Sequence, residues 1–367
     1  MIYHILLAFV VTFIITLVLG KIGIPMLKSL HAQQSIREEG PESHQAKAGT
    51  PTMGGAFMMV ALTIGVAIFA PWNVATGMLL FLTLGHCLLG FFDDFVKAVK
   101  KRNLGLTAKQ KLLGQFILAA IFCYFITEIM VIPTTLWIPV VDAHIQLGFA
   151  YYMLAFLIIV GATNAVNLTD GLDGLASGTS AVAAIAFSVI GLMIYSTESS
   201  VAAESVAFFG SIVTAVCLGF LVFNINPAKV FMGDTGSLAL GGAFAGMAIL
   251  TKTELLLVVS LGLLVFNLGH RRFAHGFYQF IAVALGFSLV FYPTAYYSVA
   301  TGSFEDAISG ILYPIHSIRL TSVSALLENV LFYGLLALGM GVLVFVFLGF
   351  NLNPLNYMSS QCLRVCS

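Results

Sequence analysis

Five of the seven aspartates fall in short polar motifs of a largely apolar chain. They are Asp93 and Asp94 in "GFFDDFVK", Asp170 and Asp173 in "NAVNLTDGLDGLASG", and Asp234 in "FMGDTGS". A carboxylate near a bilayer costs a few kcal/mol unless it faces protein or water. Two adjacent ones at the end of an apolar run therefore point to function, and a metal-assisted base or nucleophile fits. A solvated helix end is the structural alternative for Asp93 and Asp94. Helix neighbours point about 100° apart, so the two are not expected to share one ligand symmetrically. Asp170 and Asp173 would share a face if their stretch is helical, as would Asn164 and Asn167 just upstream. Together they would form a polar stripe of amides and carboxylates at a span end, with "TDG" as a plain turn the alternative. Asp234 opens another apolar run, where free N–H groups and the helix dipole favour phosphate. Asp234 itself suits magnesium rather than direct phosphate contact.

Cations accompany these groups. Lys97 and Lys109 lie near the Asp pair in sequence, and Lys47 precedes the Gly-rich "GTPTMGG". These three are the candidates for phosphate contacts. Lys100, Lys101 and Arg102 read as a basic anchor at the membrane surface. No GxxxxGK[ST] occurs, so no P-loop holds a nucleotide. Carboxylates, lysines and Gly-rich turns at a membrane face suggest magnesium-dependent phosphoryl transfer involving a lipid phosphate.

The elements that must position these residues are membrane helices. The chain has 367 residues, of which 59% are hydrophobic and 9% charged, against about 25% charged in a soluble domain. Lysine plus arginine balance aspartate plus glutamate, and no nucleic-acid partner is expected. The five cysteines form no CxxC pair and no zinc-ligand cluster, so they read as small buried hydrophobes. A membrane helix needs about 20 apolar residues. Candidates are 2–20, 53–71, 76–95, 112–131, 147–165, 175–194, 205–223, 236–250, 254–270, 277–299 and 326–349. The first lacks a basic leader and a clear cleavage site, so it reads as a retained span. The fold expected is all-α, a polytopic bundle of about 10–11 transmembrane helices in one integral membrane domain over 1–367.

Orientation follows from the basic residues. Lys21, Lys28, Arg37 and Lys47 follow span one, and the 97–111 cluster follows span three. Lys229 follows span seven, and Arg271 and Arg272 follow span nine. Only Lys252 falls on the other side in this region. The N-terminus is therefore expected outside, with all four motif stretches (47–55, 91–111, 164–178 and 223–237) on the cytoplasmic side. Such convergence suggests an active site facing the cytoplasm.

Five blocks in order, "GTPTMGG", "GFFDDFVK", "NLGLTAKQKLLGQ", "NAVNLTDGLDGLASG" and "VFMGDTGSLALGG", resemble the bacterial phospho-N-acetylmuramoyl-pentapeptide-transferase family over about residues 1–257. The wider superfamily of polyprenyl-phosphate N-acetylhexosamine-1-phosphate transferases shares some of them. The resemblance implies a magnesium-dependent enzyme of the bacterial inner membrane acting in peptidoglycan synthesis. It would join UDP-MurNAc-pentapeptide to undecaprenyl phosphate, giving lipid I and UMP; a homodimer is compatible with it. It implies that Asp93 deprotonates the lipid phosphate or attacks as nucleophile, with Asp94 beside it. Asp234 would hold magnesium, and Lys47, Lys97 and Lys109 would meet phosphates. Asn164, Asn167, Asp170 and Asp173 would line the nucleotide-sugar cleft. Asp170 and Phe231 would contact the uridine, Phe231 by stacking. Residues 258–367 are a divergent apolar tail. Family members carry a run of three histidines after span nine, whereas here His270 and His275 stand apart, and no catalytic histidine is carried over. The alternatives are a UDP-GlcNAc:polyprenyl-phosphate transferase and a lipid-linked sugar transporter.

Overall fold

A computed structural model describes residues 1–29, 49–100, 105–138 and 143–253. The chain divides near Val265 into two units, and the structure below concerns the first. Lys47, His270, His275 and the spans expected at 254–270, 277–299 and 326–349 lie outside the described residues.

Eight helices account for the eight apolar runs expected before residue 254. They are α1 (Ile2–Ser29), α2 (Gly55–Phe69), α3 (Val74–Lys100), α4 (Ala108–Tyr124), α5 (Phe149–Thr169), α6 (Leu175–Glu198), α7 (Val201–Asn224) and α8 (Gly233–Leu250). Six of them are long and apolar enough to cross a membrane, α4 doing so with the π-helical turn Phe125–Ile129 that extends it; α2 is a shorter apolar helix. The protein is a polytopic helical membrane protein.

Lipid cannot drive apolar helices together, so the inward faces carry small and polar residues while large apolar ones point out. In α1 the buried positions are Ile5, Ala8, Thr12, Thr16 and Gly20, whereas Tyr3, Leu7, Val10, Ile14 and Val18 are exposed. That inward stripe packs on α7, where Ser211 donates to the Ile5 carbonyl at 3.1 Å. α6 and α7 are mostly buried, and α8 is buried along almost its whole length. α8 packs chiefly on α3 and α5. A methyl group on Gly90 of α3 would overlap the Asp234 carbonyl, and one on Gly55 of α2 would overlap the backbone of Gly236. The α8 N-terminus is thus seated backbone to backbone against two helices.

The far end carries a short antiparallel hairpin not read from the sequence. Strand β1 (Thr135–Ile138) pairs with β2 (Ala143–Gln146), Thr135 opposite Gln146. Lys252, the one basic residue assigned to the outer side, donates there to the Pro133 carbonyl at 2.6 Å and to the Tyr151 hydroxyl at 3.1 Å. It also sits 4.4 Å from the Tyr151 ring centre.

Because the helices alternate in direction, the ends of α1, α3, α5 and α7 meet the starts of α2, α4, α6 and α8 at one end of the bundle. The described parts of the four motif stretches lie there, and hydrogen bonds tie them together. Phe231 N–H donates to the Pro51 carbonyl at 2.8 Å, and Gly54 N–H donates to the Phe231 carbonyl at 2.9 Å.

Candidate active site

Asp93, Asp94 and Lys97 occupy the last turns of α3. Their spacing brings Lys97 back over both carboxylates, its Nζ lying 2.5 Å from Asp93 Oδ2 and 3.9 Å from Asp94 Oδ1. Asp93 is fully buried and Asp94 nearly so. As expected of helix neighbours, the two carboxylates take different partners. Asp93 Oδ1 accepts the Leu106 N–H at 2.7 Å and pairs with Lys111 Nζ at 3.1 Å. Asp94 turns to the start of α8. Its Oδ1 accepts the Asp234 N–H at 3.2 Å, and its Oδ2 accepts the Thr235 N–H at 2.9 Å and the Thr235 hydroxyl at 2.7 Å.

Asp234 then meets Asp93 from the other side. Its Oδ2 accepts from Lys97 at 3.1 Å and from Lys111 at 2.8 Å, while Oδ1 accepts the Asn167 amide at 2.8 Å. The same amide reaches Ser237 Oγ at 2.9 Å. Burial pushes the Asp234 carboxyl up, but its hydrogen bond with Asp93 and the Lys97 and Lys111 ammonium groups outweigh that and hold it below the usual carboxylate range. Asp93, Asp94 and Asp234 each offer an oxygen within 4.8 Å of the others.

Lys111 is the residue that sequence reasoning missed, having been counted only within the basic 97–111 cluster. Its signal lies in "TAKQ". Thr107 caps α4 through a capping box, Gln110 N–H donating to Thr107 Oγ1 at 3.3 Å and Thr107 N–H to Gln110 Oε1 at 2.9 Å. Starting the helix at Ala108 points Lys111 inward and leaves Lys109 exposed. Lys109 therefore stands outside the carboxylate cluster, and Lys111 is in it.

The 164–178 stretch differs from the expected helical stripe. α5 ends at Thr169, and Gly174 adopts φ +76° ahead of α6, a conformation that glycine takes without strain. Asp170 and Asp173 consequently diverge rather than share a face. Asp170, half-buried as a residue, turns its carboxylate onto the Gly233 N–H. Burial first, then the nearby Asp234 and Asp94 carboxylates, raise its pKa well above the usual range. Asp173 Oδ2 accepts the Asn226 amide at 3.0 Å and the Ala228 N–H at 3.3 Å, fixing the loop after α7. Asn167 faces the cluster, while the exposed Asn164 donates back to the Val160 carbonyl of its own helix at 2.7 Å. Asn224 is a second unforeseen residue. Its Oδ1 accepts Gly174 N–H at 3.0 Å and Ser177 Oγ at 3.1 Å, and its amide donates to the Val230 carbonyl at 2.9 Å. It joins the "DGLDG" turn to the segment carrying the half-buried Phe231.

One expectation is corrected. The first N–H groups of α8 were expected to favour phosphate. Those of Gly233, Asp234 and Thr235 are instead taken by the Asp170 and Asp94 carboxylates. The helix dipole is answered by the protein's own anions.

The protein is a helical membrane bundle with an Asp–Lys cluster at its helix ends, and it is a membrane transferase: residues 76–252 match the family model described as glycosyl transferase family 4. Proteins named phospho-N-acetylmuramoyl-pentapeptide-transferase align with most of the described region. One from Geobacillus sp. (strain WCH70) is 51% identical over 263 residues, covering 71% of this chain and 79% of its own length. One from Anoxybacillus flavithermus is 54% identical over 257 residues, covering 69% and 77%. One from Bacillus pumilus (strain SAFR-032) is 51% identical over 265 residues, covering 71% and 79%. The chain belongs to the phospho-N-acetylmuramoyl-pentapeptide-transferase family, and is a multi-pass bacterial membrane enzyme.

Proposed function

We propose that this enzyme transfers phospho-MurNAc-pentapeptide from UDP-MurNAc-pentapeptide to undecaprenyl phosphate, releasing UMP and leaving lipid I, at the cytoplasmic face of the bacterial inner membrane. The observation that carries the reading is the meeting of Asp93 and Asp234 with Lys97 and Lys111 at the ends of membrane helices. There a lipid phosphate and a soluble nucleotide diphosphate can reach the same groups. The relatives are named for transfer of the phospho-N-acetylmuramoyl-pentapeptide group, which supports this reading.

The donor set fits magnesium. It consists of carboxylate oxygens, the hard ligands that ion prefers, and magnesium commonly uses one or two carboxylates with substrate phosphates completing its shell. Asp94 is held by backbone and hydroxyl donors of α8, whereas Asp234 Oδ2 meets only the movable ends of Lys97 and Lys111; Asp234 would hold the ion, with Asn167 fixing its other oxygen. A bound magnesium ion would supply charge neutralisation at the diphosphate.

Asp93 acts on the lipid phosphate, as base or as nucleophile. Lys97 and Lys111 neutralise phosphate charge, as their paired positions against two carboxylates prepare them to do. Asp170, Asp173, Asn164 and Phe231 line the nucleotide side. On the resemblance, Lys47 and Lys109 would also meet phosphates.

The test is UMP release by purified enzyme given UDP-MurNAc-pentapeptide and undecaprenyl phosphate, with magnesium or with EDTA. Magnesium-dependent release is expected. Release from UDP-GlcNAc in its place, uncompeted by the muramoyl substrate, would reassign the enzyme to the sister transferases.

A further inference from the structure

We propose that the Gly105–Leu106 peptide is a positioning strap. It holds Asp93 by Oδ1 so that Oδ2 is the oxygen presented to the lipid phosphate. The proposal rests on the reading of Asp93 given above and deepens it.

The two oxygens of Asp93 are not equivalent. Oδ1 accepts the Leu106 backbone N–H at 2.7 Å, a donor fixed by the chain and followed at once by the Thr107 cap of α4. Oδ2 is also buried, but no backbone donor holds it. Its neighbour is the Lys97 ammonium, a movable side-chain end that a phosphate can draw aside. A carboxylate held by fixed backbone on one oxygen and by a displaceable ammonium on the other is arranged for a partner that arrives later.

Gly105 makes the arrangement sterically possible. A methyl group there would overlap the Asp93 carboxylate itself, reaching Oδ1, the carboxyl carbon and Oδ2 together. The peptide therefore lies flat on the carboxylate, at a distance only glycine permits. This also accounts for the complete burial of Asp93: one side is roofed by backbone, leaving the Asp234–Lys97–Lys111 side as the approach. Lys111, four residues beyond Thr107, follows from the same strap and pairs with the same Oδ1 at 3.1 Å.

The experiment is a double-mutant cycle on the purified enzyme, with turnover and KM for UDP-MurNAc-pentapeptide measured for Gly105→Ala, Asp93→Asn and the double variant. Gly77→Ala, at an α3 glycine facing open space, is the control for a generic Gly→Ala change and should match wild type. Gly105→Ala should lose about 10²-fold in kcat, the scale of a 1 Å misplacement, with KM unchanged. In the Asp93→Asn background it should cost nothing further, because its effect passes through Asp93. Wild-type kcat in Gly105→Ala, or the same loss in both backgrounds, would overturn the proposal. Should Gly105→Ala not fold, replacing the Leu106 amide by an ester removes the N–H alone and is read the same way: a loss confined to the Asp93 background supports the strap, and no loss overturns it. Wild-type turnover in Asp93→Asn would instead sink the role of Asp93 itself, an outcome distinct from an essential Asp93 with an indifferent Gly105.

Discussion

Asp94 and Thr235 are joined twice, through the Thr235 N–H at 2.9 Å and its hydroxyl at 2.7 Å, both to the same carboxylate oxygen. This contact, with the Asp234 N–H on the other oxygen, fixes the start of α8 against the end of α3. The orientation of Asp234 is thereby set by its neighbour's neighbour. Two carboxylates adjacent in sequence have separate tasks, one facing the cation cluster and one fastening the helix that completes it.

Asp94 and Asp234 should accordingly fail in different ways. Asp94→Ala leaves buried N–H donors unpaired and should destabilise the protein by about 1–3 kcal/mol, seen as a lower midpoint in a thermal unfolding assay in detergent. Asp94→Asn, which keeps one acceptor, should destabilise less. Asp234→Asn should fold normally and lose turnover, and its residual activity should demand more magnesium, because a hard cation needs the lost charge. Unchanged magnesium dependence in Asp234→Asn would remove Asp234 from the metal site.

Lys111 and Lys109 offer a contrast two residues apart. Lys111 pairs with Asp93 and Asp234, whereas Lys109 is exposed. Removing one preorganised charge partner typically costs about 10²–10³-fold in rate. Lys111→Ala should fall in that range, and Lys109→Ala should lose far less. Steady-state UMP release decides the ranking, and equal losses would mean that the capping-box phase of α4 does not govern which lysine meets substrate.

Much of this architecture was legible in the sequence, and the limits have physical causes. Lipid demands long apolar runs, so all eight described helices stood out. The hairpin at Thr135–Gln146 did not, because four-residue strands leave little pattern between two spans. The carboxylates of the cluster were visible as charges out of place. What stayed hidden was side-chain direction near helix ends. Asn164 and Asn167 look equivalent until α5 is seen to turn only Asn167 toward Asp234. Asp170 and Asp173 look like one face until the chain leaves the helix at Thr169. Lys111 could have been placed from the Thr107–Gln110 box alone, since the cap fixes the helical phase.

The distribution of lysine and arginine predicts the orientation across the membrane, with Lys252 the exception in the region before residue 273. Lys252 is satisfied locally by the Pro133 carbonyl and the Tyr151 hydroxyl. In a variant whose five native cysteines are replaced, Gly171→Cys, between α5 and α6, should be shielded from an impermeant maleimide in intact cells. Trp72→Cys, exposed between α2 and α3, should be labelled. The reverse pattern would turn the protein over and place the cluster outside.

The chemistry of Asp93 is the remaining choice, and it can be separated by pH and exchange. The attacking lipid phosphate must present an ionised oxygen, and transfer depends on positioning and charge neutralisation more than on covalent help. If Asp93 serves only as a base, Asp93→Asn should slow turnover by roughly 10²–10⁴-fold. Part of the loss should return as pH rises, because the phosphate then ionises unaided. If Asp93 is a covalent nucleophile, raising the pH rescues nothing. The wild-type enzyme should then exchange labelled UMP into UDP-MurNAc-pentapeptide without any lipid acceptor, since the first half-reaction would run alone. The burial of Asp93 beneath Leu106, with Lys97 and Lys111 against it, is compatible with either route, so the pH profile and the exchange assay must be read together. Recovery at high pH without exchange selects the base; exchange without recovery selects the nucleophile. An Asp93→Asn enzyme that turns over like wild type at neutral pH would exclude both and leave Asp93 a packing residue at the end of α3.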